Sequence, residues 1–272
     1  MDNTGQIEYW NGAAGRKWVQ DAERLDAMLR PFADAVMAAA EPKAGERAVD
    51  IGCGAGALSL MAAAAGAAVT GVDVSEPLIA LAQGRARGAA SFTVADASDW
   101  QPEAKADLVL SRFGVMFFAD PGAAFANIRQ GVKAGGRIAF VCWRPLAEND
   151  WALIPLAAAM PLLKQPPAPP PPGAPGPFAF GDRHRIVEVL AAGGWTDVRI
   201  TPWDGQIELP GESVEETAAF MLEIGPLSRT IAEQDIDPRQ VKDAIIEKVR
   251  TLKAEDGRTR LSAAAWIVEA VA

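Results

Sequence analysis

Three glycines at alternate positions follow an acid near the end of an apolar run, Val49-Asp50-Ile51-Gly52-Cys53-Gly54-Ala55-Gly56. A glycine turn lets the backbone approach a ligand where any Cβ would collide. Seventeen residues past Gly56, Asp73 closes a second apolar run, Ala68-Val69-Thr70-Gly71-Val72. An acid there can accept hydrogen bonds from both hydroxyls of a ribose. Asp96 follows a third run, Ser91 to Ala95, where it suits the exocyclic amine of a base. Asp50 can hold the glycine turn or, through water, an ammonium group. Together these residues describe a nucleoside crevice at the carboxyl ends of parallel strands.

Such a crevice needs a layered frame, and the chain supplies its pattern. Leu25, Met28, Leu29, Phe32 and Val36 form one apolar helical stripe, ended by Pro42 and Gly45. Strands are expected at 47–51, 67–72, 91–95, 106–111 and 137–143. Helices are expected at 58–65, from Ser75 as cap onward, and from Asp120 as cap onward. Alternation of strands and helices over 47–143 predicts a parallel sheet covered on both faces by right-handed crossovers. Beyond Pro145 the texture changes. Residues 149–163 read as an apolar helix and 165–177 are mostly proline, which favours extended geometry. A helix is expected at 182–192, a sixth strand at 197–209, helical segments at 214–224 and 238–252, and a last strand at 260–271.

The 272 residues carry 26 basic and 35 acidic side chains, for a net charge of -9. That balance speaks against binding a phosphate backbone, so no nucleic-acid partner is expected. Cys53 and Cys142 are the two cysteines and lack metal-ligand spacing, so free thiols in a reducing compartment and no metal are expected. The apolar run 58–69 is too short to span a bilayer. The N-terminal residues, Met1 and Asp2 among them, show no signal-peptide pattern. A cytoplasmic location is expected.

The blocks VDIGCGAG (49–56), VTGVDVS (69–75), VADASDW (94–100), ADLVLSRFGVMFF (106–118) and KAGGRIAFVCW (133–143) resemble, in order and spacing, the class I S-adenosylmethionine-dependent methyltransferases. The fine pattern is similar to the small-molecule branch, near the ubiquinone/menaquinone-type enzymes, and covers about half the chain. The implied fold is α/β: a doubly wound, mostly parallel seven-stranded sheet, Rossmann-like, with an antiparallel last strand and helical cap insertions. The implied organisation is an N-terminal helical flap (1–46), a cofactor-binding core (47–145), a proline-rich cap excursion (146–181), and the rest of the core (182–272) with a helical insertion at 212–254.

The resemblance also implies roles. S-adenosyl-L-methionine would be the cofactor and a small, hydrophobic metabolite the methyl acceptor, through oxygen, carbon or nitrogen. Gly52, Gly54 and Gly56, with Asp50 and Cys53 in the same turn, would line the methionine part. Asp73 would bind the ribose and Val74 pack on adenine, with Asp96 and Ala97 at the adenine edge. Ser111 and Arg112 would face the sulfonium side. Tyr9, Trp10 and Trp18 could fold over the cofactor. Phe113 would face the acceptor. Beside the resemblance, the place of Arg144 and Asn149 after the fifth strand lets Arg144 pair with an acidic acceptor and Asn149 orient it, or leaves both in a solvated loop, and Met221 is among the apolar residues that suit a hydrophobic acceptor. Methyl transfer is an in-line displacement in which the protein mainly aligns and dehydrates, so a strong base is optional; Tyr9, Arg144 and His184 are the candidates. Two rivals stand beside this reading. An NAD(P)-dependent oxidoreductase shares the turn and distal acid, but here the third glycine comes one residue early for a dinucleotide. A binding protein that holds the cofactor without transferring methyl shares every feature above.

Overall fold

In the computed structural model, residues 3–168, 170–171 and 173–272 are described; Met1, Asp2, and Pro169 and Pro172 of the proline-rich stretch lie outside them. Four helices come first: α1 (Thr4–Asn11), α2 (Ala13–Gln20), α3 (Ala22–Met28) and α4 (Arg30–Ala40). Next come β1 (Arg47–Ile51), α5 (Ala57–Ala64), β2 (Ala68–Asp73), α6 (Glu76–Ala86), β3 (Ser91–Val94), β4 (Ala106–Arg112), α7 (Pro121–Gln130) and β5 (Val132–Trp143); the expected alternation of strand and helix is broken once, because residues 95–105 join β3 to β4 by turns with no helix. The remainder is α8 (Asp150–Ala159), α9 (Arg183–Ala192), β6 (Thr196–Glu208), α10 (Val214–Glu223), α11 (Pro226–Gln234), α12 (Pro238–Leu252) and β7 (Arg260–Val271).

The sheet order is β3-β2-β1-β4-β5-β7-β6. β1 pairs in parallel with β2 on one side and β4 on the other, and β5 extends the parallel set beyond β4. β7 runs antiparallel to β5, from Arg137 opposite Val271 to Trp143 opposite Ala265. The chain therefore leaves β1 in opposite directions along the sheet. Open α/β sheets bind ligands at that switch point, beyond the carboxyl ends of the diverging strands. The segments found there are the glycine turn after β1 and the 112–114 segment after β4.

Two compact units make up the chain: Met1–Trp143, Pro175–Trp203 and Ala265–Ala272 form the first, and Arg144–Ala174 and Asp204–Ala264 the second. Leu25, Met28, Leu29, Phe32 and Val36 are all buried in the first unit, as one apolar face. They belong to two helices, however, because the path breaks at Leu29. Pro31 explains the break: it has no N–H to give Ala27 and its ring would strike that carbonyl. In the second unit, α12 buries Val241, Ile245 and Val249, spaced as one helical stripe. A third helix, α11, lies between the two expected in this region. It begins at Pro226, and proline suits a first helical turn, where its missing N–H costs nothing.

Candidate functional site

The three glycines of the turn each solve a different problem. Gly52 has φ +64°. A Cβ placed on it would lie 2.6 Å from Gly114 Cα, so the turn after β1 and the one after β4 touch backbone to backbone. Gly56, the N-cap of α5, sits against packed side chains; its Cβ would meet Phe92 at 2.9 Å and Ala82 at 3.1 Å. Gly54, at φ +52°, differs: nothing lies within 4 Å of where its Cβ would be. The left-handed backbone there borders open space, a cradle that a methyl group would enter. Cys53 faces the other way, in a buried cluster with Ile79, Ala82, Ala86 and Phe92, and burial pushes its thiol pKa well up. Its side chain packs the turn from beneath.

Asp73 stands at the end of β2 beside this cradle. Its Oδ2 accepts the Gly54 N–H at 2.8 Å and its Oδ1 accepts the Ser75 N–H at 2.9 Å. Burial raises its pKa, opposed by those same backbone donors. The carboxylate thus fixes the turn and the following loop at once. Asp96 holds its own turn, accepting the Ser98 N–H at 2.8 Å, and Ala97 beside it is buried.

Asp50 is 1 % exposed and belongs to the interior of the turn. Ser59 Oγ donates to its Oδ2 at 2.6 Å, while Oδ1 is buried without a partner. Burial pushes its pKa to about 7; the Ser59 bond and the charge of Arg112 work against the rise, and Asp73 adds to it. The sign follows directly. An acid whose pKa is higher folded than unfolded stabilises the fold fully below about pH 4, and that contribution is lost as pH rises toward 7. Asp50→Asn keeps the shape and removes the proton. The variant is expected to gain on the order of 5 °C over wild type at pH 8 and little at pH 4, in ligand-free melts at constant ionic strength. A difference independent of pH would contradict this account.

The end of β4 carries a second set of contacts. Ser111 Oγ donates to Ile51 O at 2.7 Å and accepts the Gly114 N–H at 3.1 Å. Its hydroxyl therefore ties the two turns together and has no hydrogen left to offer a ligand. Arg112 Nη2 donates to Asp26 at 3.0 Å, and Arg85 Nη1 donates to the other oxygen of Asp26 at 2.8 Å and to Ala55 O at 3.3 Å. Asp26, on α3, thus gathers two arginines and the glycine turn. Sequence reasoning missed it, although an acid beside the buried stripe was the available signal. Phe113 has φ +62°, rare for a bulky residue, and its ring stacks on Trp143 at 4.0 Å with Phe32 edge-on at 5.0 Å.

The expected flap residues lie on α1 and α2. Trp10 meets Tyr9, Trp18 and Phe117 edge-on at 5.3, 5.4 and 5.5 Å. Tyr9 is 51 % exposed, and His184 is exposed at the start of α9. Ser75, expected to cap α6, makes no side-chain cap bond; its hydroxyl donates to Trp10 O at 2.8 Å instead. Arg144, Asn149 and Met221 belong to the second unit. Arg144 pairs with Asp204 at 2.7 Å and with Glu148. Asn149 is buried, donating to Arg144 O, Pro145 O and Ala264 O and accepting from Ala264 N–H and Trp151 Nε1. Met221 is fully buried. Among the described residues no group of three or more His, Cys, Asp or Glu is placed to hold a metal ion, and no helix is long and apolar enough to cross a membrane.

Residues 49–140 match the methyltransferase-domain family. Those residues form a methyltransferase domain, and the protein is an S-adenosylmethionine-dependent methyltransferase. Nocamycin O-methyltransferase of Saccharothrix syringae is 28 % identical over 207 residues, 71 % of this chain and 74 % of that protein. Ubiquinone biosynthesis O-methyltransferase of Methylococcus capsulatus is 33 % identical over 144 residues, 50 % of this chain and 60 % of that protein. Among solved structures, magnesium protoporphyrin IX methyltransferase of Synechocystis, with bound SAH, aligns at TM-score 0.57 over 100 % of this chain and 99 % of that one, with 17 % identity. The YcgJ protein of Bacillus subtilis aligns at TM-score 0.56 over 89 % and 98 %, with 16 % identity. At those identities the structures show the seven-stranded fold of a methyltransferase. The enzyme's cofactor is S-adenosylmethionine, and the open space at Gly54 beside a hydrogen-bond-accepting acid fits it.

Proposed function

We propose that this methyltransferase methylates an oxygen of a small, apolar acceptor, binding its cofactor in the cradle between Gly54 and Asp73. The observation that carries the reading is that cradle: a left-handed glycine open to space, its N–H held by a half-buried acid one strand over. In support of oxygen as the acceptor atom, the relatives named above are O-methyltransferases by name. The net charge of -9 supports a small molecule over a nucleic acid. Two free, buried thiols support a cytoplasmic location.

In this reading Gly52, Gly54 and Gly56 line the methionine end and Asp73 takes the ribose hydroxyls. Val74 packs on adenine, with Asp96 and Ala97 at its edge. Trp10 and Trp18 shield the cofactor from above. Arg112 stands on the sulfur side, oriented by Asp26, and Phe113 faces the acceptor. Within the second unit, Asn149 and Arg144 organise the segment that opens it, and Met221 packs in its interior. The bound cofactor supplies a methyl already activated by a positive sulfur. The residues' task is then to align and dehydrate, which for oriented reactants lowers a barrier by up to about 7–11 kcal/mol. A phenol or carboxylic acid arrives ionised or loses its proton to water, so no strong base need be built in. Tyr9 and His184 remain candidates for a less acidic acceptor.

The test is transfer of labelled methyl from S-adenosylmethionine to a panel of phenols, carboxylic acids and enols, with amines and carbon acids as controls. Label in an oxygen acceptor supports the proposal. Label only in amines or carbon acids refutes the choice of atom. Cofactor binding without transfer to any acceptor favours the non-transferring rival.

A further inference from the structure

The residues after Asp73 are gripped from two sides. From within, Asp73 accepts the Ser75 N–H. From without, the end of α1 reaches the same loop. Asn11 Nδ2 donates to Val74 O at 2.8 Å, and Asn11 Oδ1 accepts the Glu76 N–H at 2.9 Å. Ser75 Oγ adds the bond to Trp10 O at 2.8 Å. Glu76 opens α6, whose own N-cap side chain makes no cap bond. Asn11, 65 residues upstream, supplies the acceptor that a cap residue normally provides. Both ends of its amide are engaged, and Nδ2 also donates to Ile7 O at 2.9 Å, which fixes the side chain on its own helix. Gly15 on α2 has no room for a Cβ, which would lie 1.8 Å from Trp10 O, so α2 is closely tied to the same point.

We infer that Asn11 is a positioning residue for the cofactor: it latches the N-terminal helices to the loop that carries Asp73, so that cofactor binding and docking of those helices are one coupled equilibrium. The inference rests on Asp73 being the cofactor's acid. Asn11 acts through the backbone of Val74 and Glu76 and holds the loop in the shape that leaves Asp73 correctly aimed. Coupling of this kind is reciprocal: whatever strengthens cofactor binding strengthens docking by the same factor.

The experiment uses wild-type, Asn11→Ala and Asn11→Asp proteins with S-adenosylhomocysteine as the probe. Calorimetry measures affinity, and limited trypsin digestion reports α2 through cleavage after Arg16 and Lys17. In wild type the probe is expected to slow that cleavage. In Asn11→Ala affinity should fall about tenfold, and saturating probe should no longer protect α2. The kcat at saturating cofactor should hold, so the defect appears in the cofactor KM alone. Asn11→Asp keeps an acceptor for Glu76 N–H at a helix start that favours negative charge, and should recover part of both losses. Ser75→Ala cuts only the third tether and should move both readouts the same way by less. Wild-type affinity and wild-type protection in Asn11→Ala would overturn this inference alone. A wild-type protein that does not bind the probe would overturn the cofactor assignment and this inference with it.

Discussion

Gly52→Ala and Gly54→Ala are expected to fail in opposite ways. At Gly52 the new Cβ meets the Gly114 backbone at 2.6 Å, and φ is +64°. Left-handed backbone costs about 1–2 kcal/mol for a non-glycine residue. Overpacking against backbone that cannot swing away adds about 1–3 kcal/mol. Thermal melts should show a loss on the order of 10 °C for a chain this size. At Gly54 the added methyl meets no protein atom, so only the backbone strain remains and the melting temperature should fall by on the order of 3 °C. The same methyl occupies the cradle. Affinity for S-adenosylhomocysteine should therefore drop at least about 100-fold, the scale of losing two charged hydrogen bonds. A stable Gly54→Ala protein with wild-type affinity would show that the open space is plain solvent.

For Asp73→Ala, the expected result is a folded protein with about 10–100-fold weaker cofactor binding. Hydrogen bonds to a charged group contribute about 1.5–3 kcal/mol each when their loss leaves a partner unmet. The proposed contact with the ribose hydroxyls is one source of loss. The Gly54 and Ser75 N–H groups, which Asp73 now accepts, are a second source of loss, because both shape the cradle. Asp73→Asn separates the two. The amide can still accept from one backbone N–H but offers no charge to the diol, so it should restore thermal stability more fully than affinity. Calorimetry and melts on the same preparations distinguish these effects. Unchanged affinity in the alanine variant would remove Asp73 from the cofactor site.

What could be read from the chain was what lies close together along it. The turn at 52–56 and the acid at 73 are local spacings, and the parallel pairing of the strands over 47–143 follows from the helices between most of them. Each is visible because one backbone segment carries its own signal. Asp26 and Asn11 were not legible for the opposite reason. Asp26 works with Arg85 and Arg112, 59 and 86 residues away, and Asn11 with Val74 and Glu76, 63 and 65 away. Nothing in an isolated Asp or Asn on a helix says which distant polar group it will meet. Ser75 was read correctly as a helix boundary but not in its bonding, because a hydroxyl that could cap its own helix found a carbonyl from another. Leu29 shows the same limit at shorter range: the apolar stripe marked the buried face, while Pro31 decided where the helix parts.

The hydroxyl of Ser111 has a consequence for anyone reshaping this enzyme. Because it clasps Ile51 on one side and Gly114 on the other, the glycine turn after β1 and the segment that carries Phe113 share a fastening. With Phe113 facing the acceptor, as proposed, substitutions at 113 chosen to admit a bulkier guest are expected to tug on that clasp and loosen the grip on the methyl donor. Retargeting is therefore expected to be easier from side chains that do not neighbour the clasp than from Phe113.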